Sequence, residues 1–187
     1  MKRLFIAIPL VAGPELMLLL KKLQTGLNYE RIKWVNPAQI HLTLKFLGET
    51  PEAAIPLIKK SMDETTAGCQ PFELTFDKTG LFGSRYAPRV IWIGQQQPNL
   101  AVLALGNTML DAMHKLGFER DNQNFVPHLT LGRIQSLIDK NAFHRLMDRL
   151  ESKTYLNNPV TEIHLYESIL RPQGPIHTSL HTSFLSG

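Results

Sequence analysis

The spacing of apolar positions changes along the chain in a regular order, and that order predicts its elements. Leu4-Phe5-Ile6-Ala7-Ile8 is a short apolar run and reads as a strand. From Pro14 the spacing turns helical, with Leu16, Leu19, Leu20, Leu23 and Leu27 on one stripe. Ile32 to Val35 and a turn at Asn36-Pro37 lead into a strand from Ile40 to Leu47, which Gly48 ends. Thr50-Pro51 reads as the cap and first turn of a helix bearing Ile55, Ile58 and Met62, with Pro56 able to delay its start. Phe72 to Phe76 alternates as a strand, and Gly80 to Gly83 reads as a turn.

The second half runs through the same order. Val90 to Ile93 is a strand, and Pro98 opens a helix carrying Leu100, Leu103, Leu110 and Met113, closed by Gly117. Phe125 to Ile134 is the next strand, followed by a helix from Leu137 to Leu150 with Phe143, Leu146 and Leu150 inward. Thr161 to Tyr166 and Ile176 to Phe184 are the last strands. Strand, helix, strand, helix, strand therefore occurs twice, and an internal duplication explains it. The expected object is an α+β protein with two pseudo-symmetric lobes around a central cleft. No linker separates the halves, so residues 1–187 are expected to form one bilobal domain.

One string marks the duplication. His41-Leu42-Thr43-Leu44 recurs as His128-Leu129-Thr130-Leu131, about half the chain later, at the same place in each repeat. In a strand, residues two apart share a face, so His41 and Thr43 project together while Leu42 and Leu44 anchor the other side. The same parity holds for His128 and Thr130. Packing would preserve the leucines but has no use for a matched polar pair. Two imidazoles and two hydroxyls in one groove suit phosphodiester chemistry. One neutral histidine takes a proton, and a protonated one gives a proton to the departing oxygen, each such group contributing about 10²–10⁴-fold. The hydroxyls serve the phosphate oxygens, where charge gathers in the transition state.

Two cations flank the motifs. Arg133 falls on the leucine face by parity, unless a bulge at Gly132 turns it toward the phosphate. Lys45 falls on the face of His41 and Thr43. Trp34, Phe46, Phe125 and Tyr166 are candidate stacking surfaces for bases, although most are better read as core. His114, His144, His164, His177 and His181 lack a second copy and are not expected to be catalytic. No metal is expected, because neither motif carries a second ligand at zinc-site spacing.

Composition narrows the setting without deciding the chemistry. With 43% hydrophobic and 19% charged residues the chain reads as an ordinary soluble globular protein, and its net charge of +4 permits a polyanionic partner without demanding one. Cys69 is the single cysteine, which excludes an intramolecular disulfide and points to a reducing, cytoplasmic setting. Its loop holds no nearby histidine, so a nucleophilic role is not expected. The short apolar run after Lys2-Arg3 lacks a small-residue cleavage site, and no membrane segment is expected.

Lys33-Trp34-Val35 leading into His41 to Gly48, together with Arg3 to Ile8 and Pro127 to Arg133, resembles the 2H phosphoesterase superfamily. Within it the chain is similar to the RNA 2′,3′-cyclic phosphodiesterases, also called 2′-5′ RNA ligases. The likeness covers nearly the whole chain. It implies hydrolysis of an RNA terminal 2′,3′-cyclic phosphate to a 2′-phosphate without cofactor or metal. His41 would be the proton donor and His128 the acceptor, with Thr43, Thr130 and Arg133 on the phosphate. Pseudo-symmetry by itself leaves the two histidine roles interchangeable. RNA ends, including tRNA fragments, or cyclic nucleotides are the implied partners of a monomer. The chain has no triphosphate-binding loop, so any ligation would draw on the cyclic phosphate itself. Two other readings stay open at this point: a phosphodiesterase for small cyclic nucleotides, and an RNA-end binding module without chemistry.

Overall fold

The computed structural model describes residues 1–120, 125–171 and 174–187. β1 (Lys2–Pro9) is followed by α1 (Pro14–Gly26), whose buried stripe is Leu16, Leu19, Leu20 and Leu23. The short β2 (Arg31–Trp34) leads through a 3-10 turn, capped by the Asn36 side chain, into β3 (His41–Thr50). After α2 (Ile55–Thr66) come β4 (Phe72–Phe76) and β5 (Lys78–Gly83). The second half comprises β6 (Pro88–Gly94), α3 (Leu100–Lys115), β7 (Leu129–Ser136), α4 (Lys140–Asp148), β8 (Leu156–Val160), β9 (Glu162–Ile169) and β10 (Ile176–Phe184).

Two four-stranded antiparallel sheets carry the fold, in the orders β10-β9-β1-β3 and β2-β7-β6-β5. Each sheet draws on both halves of the chain. β1 and β3 accept β9 and β10 from the second repeat, and β6 and β7 accept β2 and β5 from the first. β4 and β8 pair across the repeats as a third, two-stranded sheet. The lobes are thus interleaved, which a lobe-per-half reading of the duplication does not anticipate. One continuous apolar core joins Leu4, Ile6, Ile8, Leu42 and Leu44 to Ile91, Ile93, Leu129 and Leu131 and to the helices. Burying that shared surface supplies the main force holding the two repeats together.

Several local expectations are corrected. Gly48 does not end its strand: at φ +71 it sits within β3, which continues to Thr50. Thr50 is not a helix cap, because its hydroxyl donates back to the Gly48 carbonyl while a 3-10 turn separates it from α2. Gly80 to Gly83 lies in β5 rather than in a turn. The ring of Trp92 fills the space above Gly80, where a Cβ would come within 2.2 Å of it. β8 was not anticipated, since Asn157, Asn158 and Pro159 hide a strand whose alternate residues are buried. In α3 Leu110 and Met113 are buried as expected, but Leu100 at its start is exposed, and Val102, Leu105 and Met109 complete the buried stripe. Asn99 caps that helix through the Val102 amide. Among the described residues no helix is long and apolar enough to cross a membrane.

Candidate active site

The two motif strands share an irregularity that decides what faces the cleft. Ala7 pairs with Thr43 and Ile6 with Lys45, leaving Leu44 as an extra residue in β3. Trp92 pairs with Thr130 and Ile91 with Gly132, leaving Leu131 as the extra residue in β7. Before each bulge the parity is as expected: Leu42 and Leu129 are buried, while the histidines and threonines are partly exposed. After each bulge the parity inverts.

Lys45 therefore turns away from the cleft face, beside Ile6, and is 4% exposed with its Nζ donating to the Glu119 carbonyl at 2.7 Å. That corrects the expectation that Lys45 shares the face of His41 and Thr43. Arg133 moves the other way, onto the cleft side, as a bulge next to Gly132 would make it do. Glycine at 132 is required by the neighbouring strand. A Cβ there would lie 2.8 Å from Ile32 Cγ2 and 2.9 Å from Trp34 Cε3.

His41 opens β3, whereas His128 stands immediately before β7 rather than inside it, so the predicted start of that strand at Phe125 is too early. The two rings are nonetheless held alike. His41 Nδ1 is 2.8 Å from the Gln39 carbonyl, and His128 Nδ1 is 2.8 Å from the Val126 carbonyl. A carbonyl only accepts, so Nδ1 carries the hydrogen in both neutral rings and Nε2 is left as the working atom. Burial lowers the pKa of each histidine below its ordinary value; the carbonyl contact opposes this, and the Arg133 charge adds to it. Both imidazoles therefore favour the neutral form when no anion is present.

A cavity of about 850 Å³ between the two sheets is lined by His41, Thr43, His128, Thr130 and Arg133 together. All five residues singled out from the sequence meet there. Among the described residues the Thr43 and Thr130 hydroxyls have no protein hydrogen-bond partner, which leaves them free for a ligand's oxygens. The arrangement brings two imidazoles, two hydroxyls and the Arg133 guanidinium to one cavity.

The rest of the wall was not read from the sequence. Phe5 packs on His41 at 4.9 Å between ring centroids, and His177 meets His41 edge-on at 5.3 Å and 88°. Phe82 takes the corresponding edge-on place against His128, at 4.7 Å and 90°. His177 has no second copy in the sequence, yet it lines the cavity, and its buried Nδ1 has no partner among the described residues. Its counterpart is a phenylalanine, so a search for repeated histidines passes over it. Of the proposed stacking residues, Trp34 and Phe125 pack on the core, and Tyr166 stacks on Phe5 at 5.1 Å. Only Phe46 is broadly available, at 58% exposed.

The remaining histidines make other contacts: His114 with the Phe118 carbonyl, His144 with the Arg85 carbonyl, His164 with Glu162 and His181 with Asp63. Cys69 donates to the Thr65 carbonyl, and burial pushes its thiol up, the wrong direction for a nucleophile. Among the described residues no three histidine, cysteine or acidic side chains gather as a metal site.

Comparison with known proteins agrees with the duplicated fold. The RNA 2′,3′-cyclic phosphodiesterase of Archaeoglobus fulgidus is 35% identical over 149 residues, covering 80% of this chain and 81% of its own. The enzyme of that name from Methanocaldococcus jannaschii is 30% identical over 176 residues, 94% of this chain and 96% of its own. The crystal structure of E. coli LigT complexed with 3′-AMP superposes with a TM-score of 0.79 at 26% identity, covering 100% of this chain and 99% of that one. A Thermus thermophilus crystal structure gives 0.78 at 28% identity, covering 99% and 98%. The family model described as LigT like Phosphoesterase matches twice, over residues 8–92 and 93–177, one match for each copy of the His-Leu-Thr-Leu string. The chain belongs to the LigT-like phosphoesterase family.

Proposed function

We propose that this protein hydrolyses the terminal 2′,3′-cyclic phosphate of RNA to a 2′-phosphate, with His41 and His128 as the acid–base pair. The observation that carries the proposal is the convergence of both histidines, Thr43, Thr130 and Arg133 on one cavity, each histidine held through Nδ1 with Nε2 left to work. The names of the relatives point to the same substrate class. His128 Nε2 takes a proton from water, whose oxygen attacks phosphorus. The bond from phosphorus to O3′ breaks, and His41 Nε2–H protonates the departing O3′. Thr43, Thr130 and Arg133 donate to the non-bridging oxygens as charge builds on them. The direction of the pair follows the family resemblance, because the two rings are held in matched fashion.

The whole chain acts as one bilobal domain in this proposal, since each sheet needs strands from both repeats. It works as a monomer in the cytoplasm on RNA ends such as tRNA fragments. The test is incubation, in chelator, with an oligonucleotide ending in a 2′,3′-cyclic phosphate, followed by mapping of the product phosphate. A 2′-phosphate is expected. A 3′-phosphate, or binding without turnover, would overturn the mechanism.

A further inference from the structure

We infer that Arg3 binds the phosphodiester one nucleotide upstream of the reacting end, which makes an oligonucleotide a better substrate than a cyclic mononucleotide. The inference rests on the activity proposed above. Along β1, Arg3, Phe5 and Ala7 share the cleft face, and their partners on β3 lay out successive rows. Ala7 stands beside Thr43 at the reacting centre. Phe5 stands beside Phe46 in the next row, and Arg3 stands beside Glu49 in the row after that. Phe5 touches the His41 ring, so Arg3 emerges two residues, about 7 Å of strand, beyond the ring that flanks the acid.

Arg3 lines the same cavity as the histidines and is exposed. Among the described residues it makes no hydrogen bond or ion pair, and Glu49 opposite does not engage it. The nearest other cations are committed: Arg133 lies close enough to act on both histidines, and Lys45, turned to the opposite face, donates to the Glu119 carbonyl. The sequence of groups outward from the reacting centre is therefore phosphate site, exposed phenyl ring, cation. That alternation matches the base and backbone of one nucleotide step.

Pseudo-symmetry also gives the direction of the chain. Val90 pairs with Arg133 as Phe5 pairs with Phe46, so the position equivalent to Arg3 in the other sheet is Pro88, which is uncharged. The upstream strand is drawn over the β1–β3 side.

The experiment compares a 2′,3′-cyclic mononucleotide bearing a 5′-hydroxyl with a dinucleotide ending in the same cyclic phosphate. Wild type is expected to favour the dinucleotide in KM, with similar kcat. Arg3→Gln should remove about tenfold of dinucleotide kcat/KM through KM alone, leave the mononucleotide unchanged, and be partly rescued by Arg3→Lys. Moderate salt should erase the difference between wild type and variant. Mononucleotide turnover by wild type without a dinucleotide advantage, or an equal loss on both substrates in Arg3→Gln, overturns the inference alone. Failure of wild type to turn over either substrate overturns the proposed activity and this inference with it.

Discussion

Phe46 and Arg133 occupy equivalent positions in the two lobes: each stands two residues after a bulged leucine, on the cleft face, opposite Phe5 and Val90 respectively. The repeats thus match in their histidines and threonines and differ in the group that follows. One lobe adds a fixed positive charge, and the other adds an exposed aromatic surface. In the proposed reaction this gives the symmetric pair of motifs a phosphate side and a base side.

Arg133 acts on the reaction in two ways that can be separated. Its charge depresses both histidines, and in the proposed reaction it also serves the phosphate. Arg133→Gln should lower kcat/KM by about 10²–10³-fold. It should also move the bell-shaped kcat/KM profile to higher pH, because the charge that disfavours each imidazolium is gone. A pH series on variant and wild type checks both; a profile moved to lower pH would contradict the electrostatic assignment.

For the free enzyme both histidine pKa values lie below the ordinary 6.5, with burial as the larger cause. The acid must hold a proton, so kcat/KM should fall on the alkaline side from a limb below about pH 6.5. The folded values are depressed, so the same groups cost no stability above the unfolded pKa. They make the protein less stable as pH drops through the folded values. His41→Ala and His128→Ala should each lower kcat by about 10²–10⁴-fold, and each should remove the acid-side stability loss of its own group. Kinetics paired with thermal melts at pH 5 and 8 measure both effects.

Phe46 is 58% exposed in the cavity wall, so removing it should cost little fold and much substrate. Phe46→Ala should raise KM for the cyclic mononucleotide about tenfold, the scale of one base stacked on a ring, with kcat nearly unchanged. A loss confined to kcat would mean that the ring positions His41 through Phe5 instead.

Asp63 on α2 ties that helix to β10. The Ser183 hydroxyl donates to its Oδ1 at 2.6 Å, and His181 Nε2 is 2.8 Å from the same oxygen. Burial alone would raise the Asp63 pKa, but these contacts and the His181 charge outweigh it and hold the carboxyl below its usual value. That stabilisation is present above the unfolded pKa and is lost as pH falls through the folded one. Asp63→Asn should cost about 1 kcal/mol at neutral pH, read by denaturant titration, with cyclic-phosphate turnover preserved.

Gly132→Val tests whether packing behind Arg133 is needed to present it. Side-chain atoms of Ile32 and Trp34 already crowd the space a Cβ would take. The substitution should destabilise the protein by about 1–3 kcal/mol and lower activity by more than the stability loss explains. A fully active, fully stable variant would show that the bulge tolerates a side chain.

The sequence by itself determined the repeat, the order of the elements apart from β5 and β8, and the five residues that meet in the cleft. These are local or periodic properties: strand parity sorts His41 and Thr43 from their leucines, and helical spacing marks the buried stripe of α1. Only the tertiary structure decided which side Lys45 and Arg133 take, because a bulge depends on pairing with a partner strand that the local pattern does not contain. It alone interleaved the two halves, since the choice of strand neighbour is made by long-range burial. It also brought His177 and Arg3 to the wall around the paired histidines, two residues from opposite ends of the chain with no repeated signature. The matched His-Leu-Thr-Leu strings specify the proposed reacting centre, and the pairing of each motif strand with its neighbour turns the residues that differ, Phe46 and Arg133, onto its two sides.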